Sequence, residues 1–117
     1  MKLLTITIPC YNSAEYMDRA ILSALVGGND IEILIIDDGS TDNTYELAQE
    51  YEKKYPNIIR AIHKENGGHG SAVNTGIANA SGVYFKVLDS DDWLDAFSLQ
   101  EVLRLLRQMV TDGTVLD

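Results

Sequence analysis

The chain has 117 residues, of which 45% are hydrophobic and 23% charged, and its formal net charge at pH 7 is -9. This length allows one domain with a real core, and the acidic balance argues against binding to DNA or RNA. Because Cys10 is the only cysteine, no internal disulfide can form. We therefore expect a reducing compartment and a small, buried, unreactive Cys10. No segment approaches the ~20 apolar residues that are needed to span a bilayer.

Strand-like and helix-like segments alternate along the chain. Apolar runs predict strands at 3–8, 31–37, 58–63 and 83–88. Apolar residues at helical spacing follow each strand. They are Met17, Ala20, Ile21, Ala24 and Leu25, then Thr44, Leu47, Ala48, Tyr51 and Tyr55, then Ala72, Val73, Ile77 and Ala80, then Leu99, Val102, Leu103, Leu106 and Val110. Four strand and helix units predict an α/β fold, a mostly parallel sheet of about four strands covered by helices on both faces.

The predicted helices carry recognisable start and stop signals. Asn12 with Glu15 is expected to cap the first helix, and Ser98 with Glu101 the fourth. The remaining signals are stops: Pro56 is expected to end the second helix and Gly82 the third.

The residues after each strand are polar and small, and two of these loops are strongly acidic. They read PCYNS, DDGSTD, HKENGGHGS and DSDDW. In parallel α/β sheets, ligands bind beyond the carboxyl ends of the strands, so these loops are the expected site. Neither G-x-G-x-x-G after the first strand nor G-x-x-x-x-G-K-[ST] occurs, which argues against a dinucleotide fold and a triphosphate loop.

The fourth loop places Asp89, Asp91 and Asp92 within four positions. Carboxylate oxygens suit Mg²⁺ or Mn²⁺, and such an ion often keeps positions for substrate phosphates. A solvated loop with one aspartate capping the next helix is the structural alternative. For the neighbouring Trp93 we favour a role as a core anchor over stacking on a ligand.

The other loops offer weaker signals. Asp37 and Asp38 can form a turn, or one of them can accept a hydrogen bond from a ligand. The glycines of NGGHGS, including Gly68, let the backbone approach an anion before a helix N-terminus. His69 is either solvated or a phosphate partner. Lys86 is either an edge residue that extends to water or an anion contact.

In this order and spacing, the segments TITIPCYN, EILIIDDGSTDNT and NGGHGSAVNTGIANASGVYFKVLDSDDW closely resemble the N-terminal, nucleotide-binding half of family 2 glycosyltransferases. The resemblance runs from about Thr5 to Trp93. It implies a GT-A, Rossmann-like three-layer fold, a UDP-sugar donor, and transfer with inversion at the anomeric carbon.

Carried over residue by residue, the resemblance places Pro9 and Tyr11 in the nucleoside pocket and lets Asp38 accept a hydrogen bond from uracil. Gly68 and His69 fall in the donor site. Asp89 and Asp91 match the D-x-D motif, with Asp91 the main metal ligand and Asp89 nearer the ribose or the metal's water shell. Asp92 is expected behind them.

The chain departs from the family pattern at two points. Members often carry arginine where this chain has Val73, so His69 or Lys64 is expected to supply the basic contact if there is one. The family's general base lies in the acceptor-binding half, and we expect it beyond Asp117. The chain would then be a truncated donor-binding part, 1–117. We expect it to bind nucleotide without transferring sugar, and to expose the apolar residues Val110, Val115 and Leu116, which would favour a homodimer.

The resemblance also implies a sugar, a lipid-linked sugar or a polymer as acceptor, in the synthesis of a cell-surface polysaccharide or a glycolipid. The expected location is the cytoplasm, or the inner face of the membrane for a full-length protein. Two alternatives stay open. One is a Mg²⁺-binding, receiver-like signalling domain, although its acidic pair would follow the first strand. The other is a catalytically silent nucleotide-binding fragment.

Overall fold

A computed structural model of the chain describes residues 2–113. Four strands alternate with four helices, and a single 3₁₀ turn at Gly28–Asp30 precedes the second strand. In chain order the elements are β1 (Leu4–Cys10), α1 (Met17–Leu25), β2 (Ile31–Asp38), α2 (Thr44–Lys54), β3 (Ile59–Lys64), α3 (His69–Asn79), β4 (Tyr84–Val87) and α4 (Ala96–Thr111).

The four strands form one parallel sheet in the order β3-β2-β1-β4. Every residue of β1 and β2 is buried, whereas the edge strands β3 and β4 are only partly buried. This gradient explains the mostly apolar segments at 3–8 and 31–37, in which even Thr5, Thr7 and Glu32 are buried, since a central parallel strand is covered on both faces. The predicted α/β fold is confirmed.

Helices cover both faces of the sheet unequally. Helices α1, α2 and α4 contribute to the larger core, in which Ile6, Ile8 and Ile33 are fully buried. Helix α3 lies on the opposite face over a smaller cluster that includes Leu34 and Ile36. Alternate residues of one strand pack into the cores on opposite faces of the sheet, because successive side chains of a strand point in opposite directions.

Helix α3 lies very close to β1. A Cβ atom at Gly76 would lie 2.4 Å from Cγ2 and 2.6 Å from Oγ1 of Thr7, a buried residue of β1. Only a residue without a side chain allows this approach.

Helix α2 ends before Pro56, as expected, but α3 ends at Asn79, three residues before Gly82, and both predicted N-caps are wrong. No side chain caps α1, whose N-cap is Tyr16. The Asn12 side chain instead accepts a hydrogen bond from the Thr41 amide at 2.8 Å, which ties the loop after β1 to the loop after β2. Helix α4 begins one turn earlier than Ser98 predicts, because the Asp95 carboxylate accepts the Ser98 amide at 2.9 Å.

Helix α4 leaves apolar side chains in contact with solvent. Phe97 is 74% exposed, and Val102 and Leu105 are exposed on the same helix. Of the apolar residues that we expected to be exposed at this end, Val110 is half-buried, and Val115 and Leu116 lie outside the described residues. Among the helices of residues 2–113, none combines the length and the apolar character needed to cross a membrane.

Candidate active site

The strand order defines the place where a ligand would bind. From β1 the chain passes to β2 and β3 on one side of the sheet, and then returns to β4 on the other side of β1. The carboxyl ends of β1 and β4 therefore flank the switch point of the sheet, which is the usual ligand crevice of such folds. Pro9 and Tyr11 lie at one of these ends, and Asp89 and Asp91 follow the other.

Two adjoining cavities open at this switch point and share Pro9, Tyr11 and His69. The smaller has a volume of about 90 Å³ and is lined by Pro9, Cys10, Tyr11, Asp38, His69 and Ala72. The larger has a volume of about 260 Å³ and is lined by Pro9, Tyr11, Tyr16, His69, Asp89, Ser90 and Asp91. The structure thus brings six of the seven predicted site residues to one groove, with Asp38 at one end and Asp91 at the other.

Asp38 lies at the buried end of the groove, with 4% of its surface exposed. Its Oδ1 accepts hydrogen bonds from Lys64 Nζ at 2.7 Å and from the Gly67 amide at 2.9 Å. Its Oδ2 accepts the Gly68 amide at 2.9 Å. The Asp38 carboxylate therefore connects the loop after β3 to the end of β2 by hydrogen bonds.

The same contacts keep Asp38 ionised. Burial by itself raises the pKa of a carboxyl group, but the hydrogen bonds from Lys64, Gly67 and Gly68 outweigh burial and lower the pKa of Asp38 below its ordinary value. The buried end of the groove therefore carries a carboxylate at neutral pH, with a lysine ammonium beside it.

Gly68, the seventh predicted residue, lies beside the groove and precedes α3. Its φ of 96° is a conformation that glycine adopts without strain. The Gly68 amide donates to the Asp38 side chain, so this N–H at the start of α3 already has an internal partner. From the sequence we expected these glycines to bind the anion of a ligand, and did not expect the Asp38 carboxylate to be their partner.

Asp37 has a different role from Asp38. It is 1% exposed and accepts hydrogen bonds from the Ser40 amide at 3.1 Å and from His63, whose Nδ1 lies 2.7 Å away. Register explains the pairing, because Asp37 lies opposite His63 and Asp38 opposite Lys64 across β2 and β3. Asp37 thus stabilises the turn after β2, and Asp38 lines the groove.

The acidic end of the groove is exposed. His69 Nε2 lies 3.0 Å from Asp89 Oδ1, so α3 and the loop after β4 meet across the groove. The Asp92 carboxylate accepts the amide of Trp93, the next residue, at 2.8 Å. Asp91 is also exposed and lines the groove. The helix cap that we considered for this cluster is instead made by Asp95, which follows it and caps α4.

The carboxylates at this end would suit a cation that also binds the substrate better than a closed metal cage. Within residues 2–113, no three His, Cys, Asp or Glu side chains are grouped closely enough to hold an ion. Carboxylates of Asp89 and Asp91 are suitable hard ligands for Mg²⁺ or Mn²⁺, and Mg²⁺ commonly takes one or two carboxylates and completes its shell with phosphates and water.

The structure decides three further predictions. Cys10 is buried, as expected, and burial raises the pKa of its thiol to about 12. Lys86 is exposed on the edge strand β4 and is absent from both cavities of the groove, which supports the edge-residue explanation. Trp93 is not a core anchor, because it is 50% exposed and the Arg19 guanidinium lies 3.5 Å from its ring centroid.

Sequence reasoning missed several residues of the site. Tyr16 lines the larger cavity, and the buried Ser13 hydroxyl lies 2.8 Å from that of Ser90, linking the loops after β1 and β4. Only the position of these residues, in loops that follow strands, could have indicated them.

A parallel sheet with an acidic groove at its switch point defines a ligand-binding α/β domain of the Rossmann-like class. Residues 5–116 match the family model described as glycosyl transferase family 2. The chain belongs to glycosyl transferase family 2. An uncharacterised glycosyltransferase of Rickettsia felis is 42% identical over 117 residues, which cover 97% of this chain and 19% of that protein. The chain therefore spans about a fifth of the length of this relative.

Solved structures confirm the GT-A type of fold. TarS 1-349 of S. aureus is similar over 92% of this chain and 33% of its own, with a TM-score of 0.79 and 25% identity. A mannosyltransferase of Pyrobaculum calidifontis, solved with GDP-Man and Mn²⁺, is similar over 88% of this chain and 32% of its own, with a TM-score of 0.76 and 22% identity. The strand order β3-β2-β1-β4 also differs from the 2-1-3-4-5 order of receiver domains, which argues against that alternative.

Proposed function

We propose that this chain is the donor-binding part of an inverting glycosyltransferase that uses a UDP-sugar and a divalent cation. The observation that carries the proposal is one groove that runs from the buried carboxylate of Asp38 to the exposed carboxylates of Asp89 and Asp91. A nucleoside diphosphate has two ends that match this groove. A base with a ring N–H would suit the Asp38 end, and a diphosphate with its cation would suit the end with Asp89 and Asp91. A crystal structure of TarS 1-349 in complex with UDP-GlcNAc gives the proposal support by analogy of fold.

The nucleoside would occupy the smaller cavity. Tyr11 is half exposed and lines this cavity together with Pro9, and its ring would stack on the base. The Asp38 carboxylate would accept the uracil N–H. Because Asp38 is buried and ionised, a base without a ring N–H would leave the remaining acceptor position of its carboxylate without a partner, and such mismatches discriminate strongly.

The diphosphate would occupy the larger cavity. Asp91 would be the main ligand of Mg²⁺ or Mn²⁺, with Asp89 nearer the ribose or the water shell of the ion. When bound, the cation supplies charge neutralisation of the leaving diphosphate. The contact with His69 holds Asp89 in the groove, and the ring of Tyr16 forms the wall beside Asp91.

The further properties of the longer protein are also proposals. They are transfer to a sugar, lipid-linked or polymer acceptor in cell-surface polysaccharide or glycolipid synthesis, a cytoplasmic or inner-membrane-face location, and association into homodimers. We assign the general base to no residue of this chain, and we propose that residues 1–117 alone bind the donor without transferring its sugar. The exposed Phe97, Val102 and Leu105 of α4 support an association surface.

Calorimetric titration with UDP, in Mn²⁺ and after chelation, tests the proposal. We expect binding in Mn²⁺ and a loss of about tenfold or more without it, since the diphosphate would then face aspartates directly. Asp91→Asn should weaken the binding of UDP strongly and the binding of uridine little. Asp112→Asn, a change at an exposed position at the end of α4, is the matched control. Equal UDP affinity with and without metal would refute the metal-dependent site.

A further inference from the structure

The chain that leaves the acidic end of the groove is held against helix α1. Trp93 follows Asp92, and the guanidinium carbon of Arg19 lies 3.5 Å from the centroid of its ring. The next amide, that of Leu94, donates to the Ser23 hydroxyl at 2.9 Å. Arg19 and Ser23 are four positions apart on α1, so they lie on one face of the helix. Two consecutive residues of the loop therefore contact the same face of α1.

We propose that Arg19 is a positioning residue, which acts through Trp93 to hold the Asp91 carboxylate where a divalent cation would bind. The inference rests on the proposed function, because it concerns the metal site of the same groove. Arg19 and Trp93 line neither cavity of the groove, and the role needs no contact of either residue with the nucleotide or the cation.

The position of the Asp91 carboxylate depends on the turn that carries it. The Asp92 amide donates to the backbone oxygen of Asp89 at 3.0 Å, which closes a turn that contains Asp91. The side chains of Asp89 and Asp92 have partners in His69 and the Trp93 amide. Within residues 2–113, the exposed Asp91 side chain makes no hydrogen bond of its own. Its place is therefore set by the two ends of the turn.

The two ends of this turn are held by different elements. On the side of β4, the Leu88 amide donates to the backbone oxygen of Thr7 at 2.9 Å, and the Ser90 hydroxyl lies 2.8 Å from that of Ser13. On the far side, the chain is held by the contacts with α1. Trp93 lies only two positions after Asp91, so a shift of the indole ring would displace the turn.

Arg19 differs from the other arginines in its partner. Arg60, Arg104 and Arg107 each have a carboxylate oxygen within 4.0 Å. In the part of the chain that the structure describes, Arg19 has no such ion pair, and its guanidinium lies over the Trp93 ring instead. A cation over an indole ring is attracted by the electrons of the ring face. Because the ring is 50% exposed, the contact should favour the observed arrangement by about two- to fivefold.

This factor limits the effect that a substitution can have. Without the contact, a smaller fraction of molecules holds the turn in the arrangement that binds a cation, and the apparent affinity falls in proportion to that fraction. Arg19→Met keeps a long unbranched side chain and a good helix former. It should weaken the binding of UDP in Mn²⁺ by about two- to fivefold and leave the binding of uridine, which has no diphosphate, unchanged.

The alternative is that the positive charge of Arg19 attracts the diphosphate through space. The two explanations separate in a variant that lacks the indole ring. If Arg19 acts through Trp93, Trp93→Leu alone weakens the binding of UDP by a similar factor, and adding Arg19→Met has no further effect. A loss on Arg19→Met that is equally large in the Trp93→Leu background would overturn the inference.

Calorimetry with UDP and uridine in Mn²⁺ tests the inference. Arg104→Met, at an exposed arginine of α4, is the matched control and should change neither affinity. An Arg19→Met variant that binds UDP as the wild type does would overturn the role of Arg19 and leave the proposed function intact. A loss of the same factor for UDP and uridine would also overturn it. A wild type whose affinity for UDP does not depend on Mn²⁺ would overturn the proposed metal site together with the inference.

A measurement without metal checks the contact itself. Trp93 is the only tryptophan of the chain, so tryptophan fluorescence reports on this ring alone. We expect Arg19→Met to raise the constant for quenching by acrylamide, a neutral molecule, because one face of the ring is then uncovered. Arg104→Met should leave this constant unchanged. Equal quenching constants in the wild type and in Arg19→Met would overturn the inference.

Discussion

Asp38→Asn tests whether one buried carboxylate holds the base end of the groove together. Asparagine has nearly the same shape as aspartate, but one oxygen becomes an NH₂ group and the charge is lost. If the remaining oxygen stays with Lys64 and Gly67, the new NH₂ faces the Gly68 amide, and two donors then point at each other. The Lys64 ammonium also loses its anion.

The size of the effect follows from these contacts. A hydrogen bond to a charged group contributes about 1.5 to 3 kcal/mol net, and a neutral one about 1 kcal/mol. One bond is lost and two are weakened, but Gly68 is exposed, so water can partly satisfy its amide. We expect Asp38→Asn to lower the free energy of unfolding by about 2 to 3 kcal/mol, which corresponds to a melting temperature about 10 °C lower for a domain near this size.

Thermal and urea unfolding followed by circular dichroism measure this loss. The pKa of Asp38 is lowered in the folded state, so its contribution is complete above the ordinary carboxyl pKa of about 4 and is lost as the pH falls through the lowered value. The difference between wild type and variant should therefore be constant near neutral pH and shrink in acid. Asp91→Asn, at an exposed position, is the control and should change stability by less than about 0.5 kcal/mol.

A melting temperature of Asp38→Asn within about 2 °C of the wild type would refute the reasoning. A stability difference that grows in acid would refute it as well. If the loss is found, substitutions at Asp38 change both folding and base recognition.

Two further predictions concern the packing of the core. Gly76→Ala should lower the free energy of unfolding by about 1 to 3 kcal/mol, because its Cβ would lie 2.4 Å from Thr7 Cγ2. Adding Thr7→Ala removes that atom and should recover at least half of the loss in urea unfolding, whereas a Gly76→Ala variant as stable as the wild type would contradict the close approach of α3. The Cys10 thiol, buried and with its pKa raised to about 12, should not react with a thiol reagent at about pH 8 until the chain is unfolded in guanidinium chloride. Rapid labelling of the native protein would show that the thiol is accessible.

The sequence alone determined the elements and the end of the sheet where the site lies. The segments of β1 and β2 could be recognised because central parallel strands bury both faces, which favours apolar residues such as the isoleucines of both strands. The edge strand β3 includes Arg60 and His63, since an edge strand needs only part of its surface covered. Strand ends could be matched to polar loops, and that is enough to predict where Asp38, Asp89 and Asp91 gather.

Predictions from the local sequence were wrong where a side chain had other hydrogen-bond or packing partners in the folded chain. Asn12 has the residue type and spacing of a helix cap, but the loop after β2 passes close enough for its side chain to accept the Thr41 amide instead. For α4 we predicted Ser98 as the cap, but the Asp95 carboxylate, three residues earlier, accepts the Ser98 amide and caps the helix. Trp93 was placed in the core by its size, yet Arg19 covers its ring at the surface.

Only the tertiary structure shows that Asp37 and Asp38 have different roles. Neighbouring residues of a strand point to opposite faces, so the sequence already required that the two side chains separate. Which one lines the groove depends on where α3 packs and on the register of β2 with β3, which places His63 opposite Asp37 and Lys64 opposite Asp38. Strand order and register arise from contacts between residues far apart in the chain. No local pattern encodes them, because the free energy that selects them comes from burying both faces of the assembled sheet.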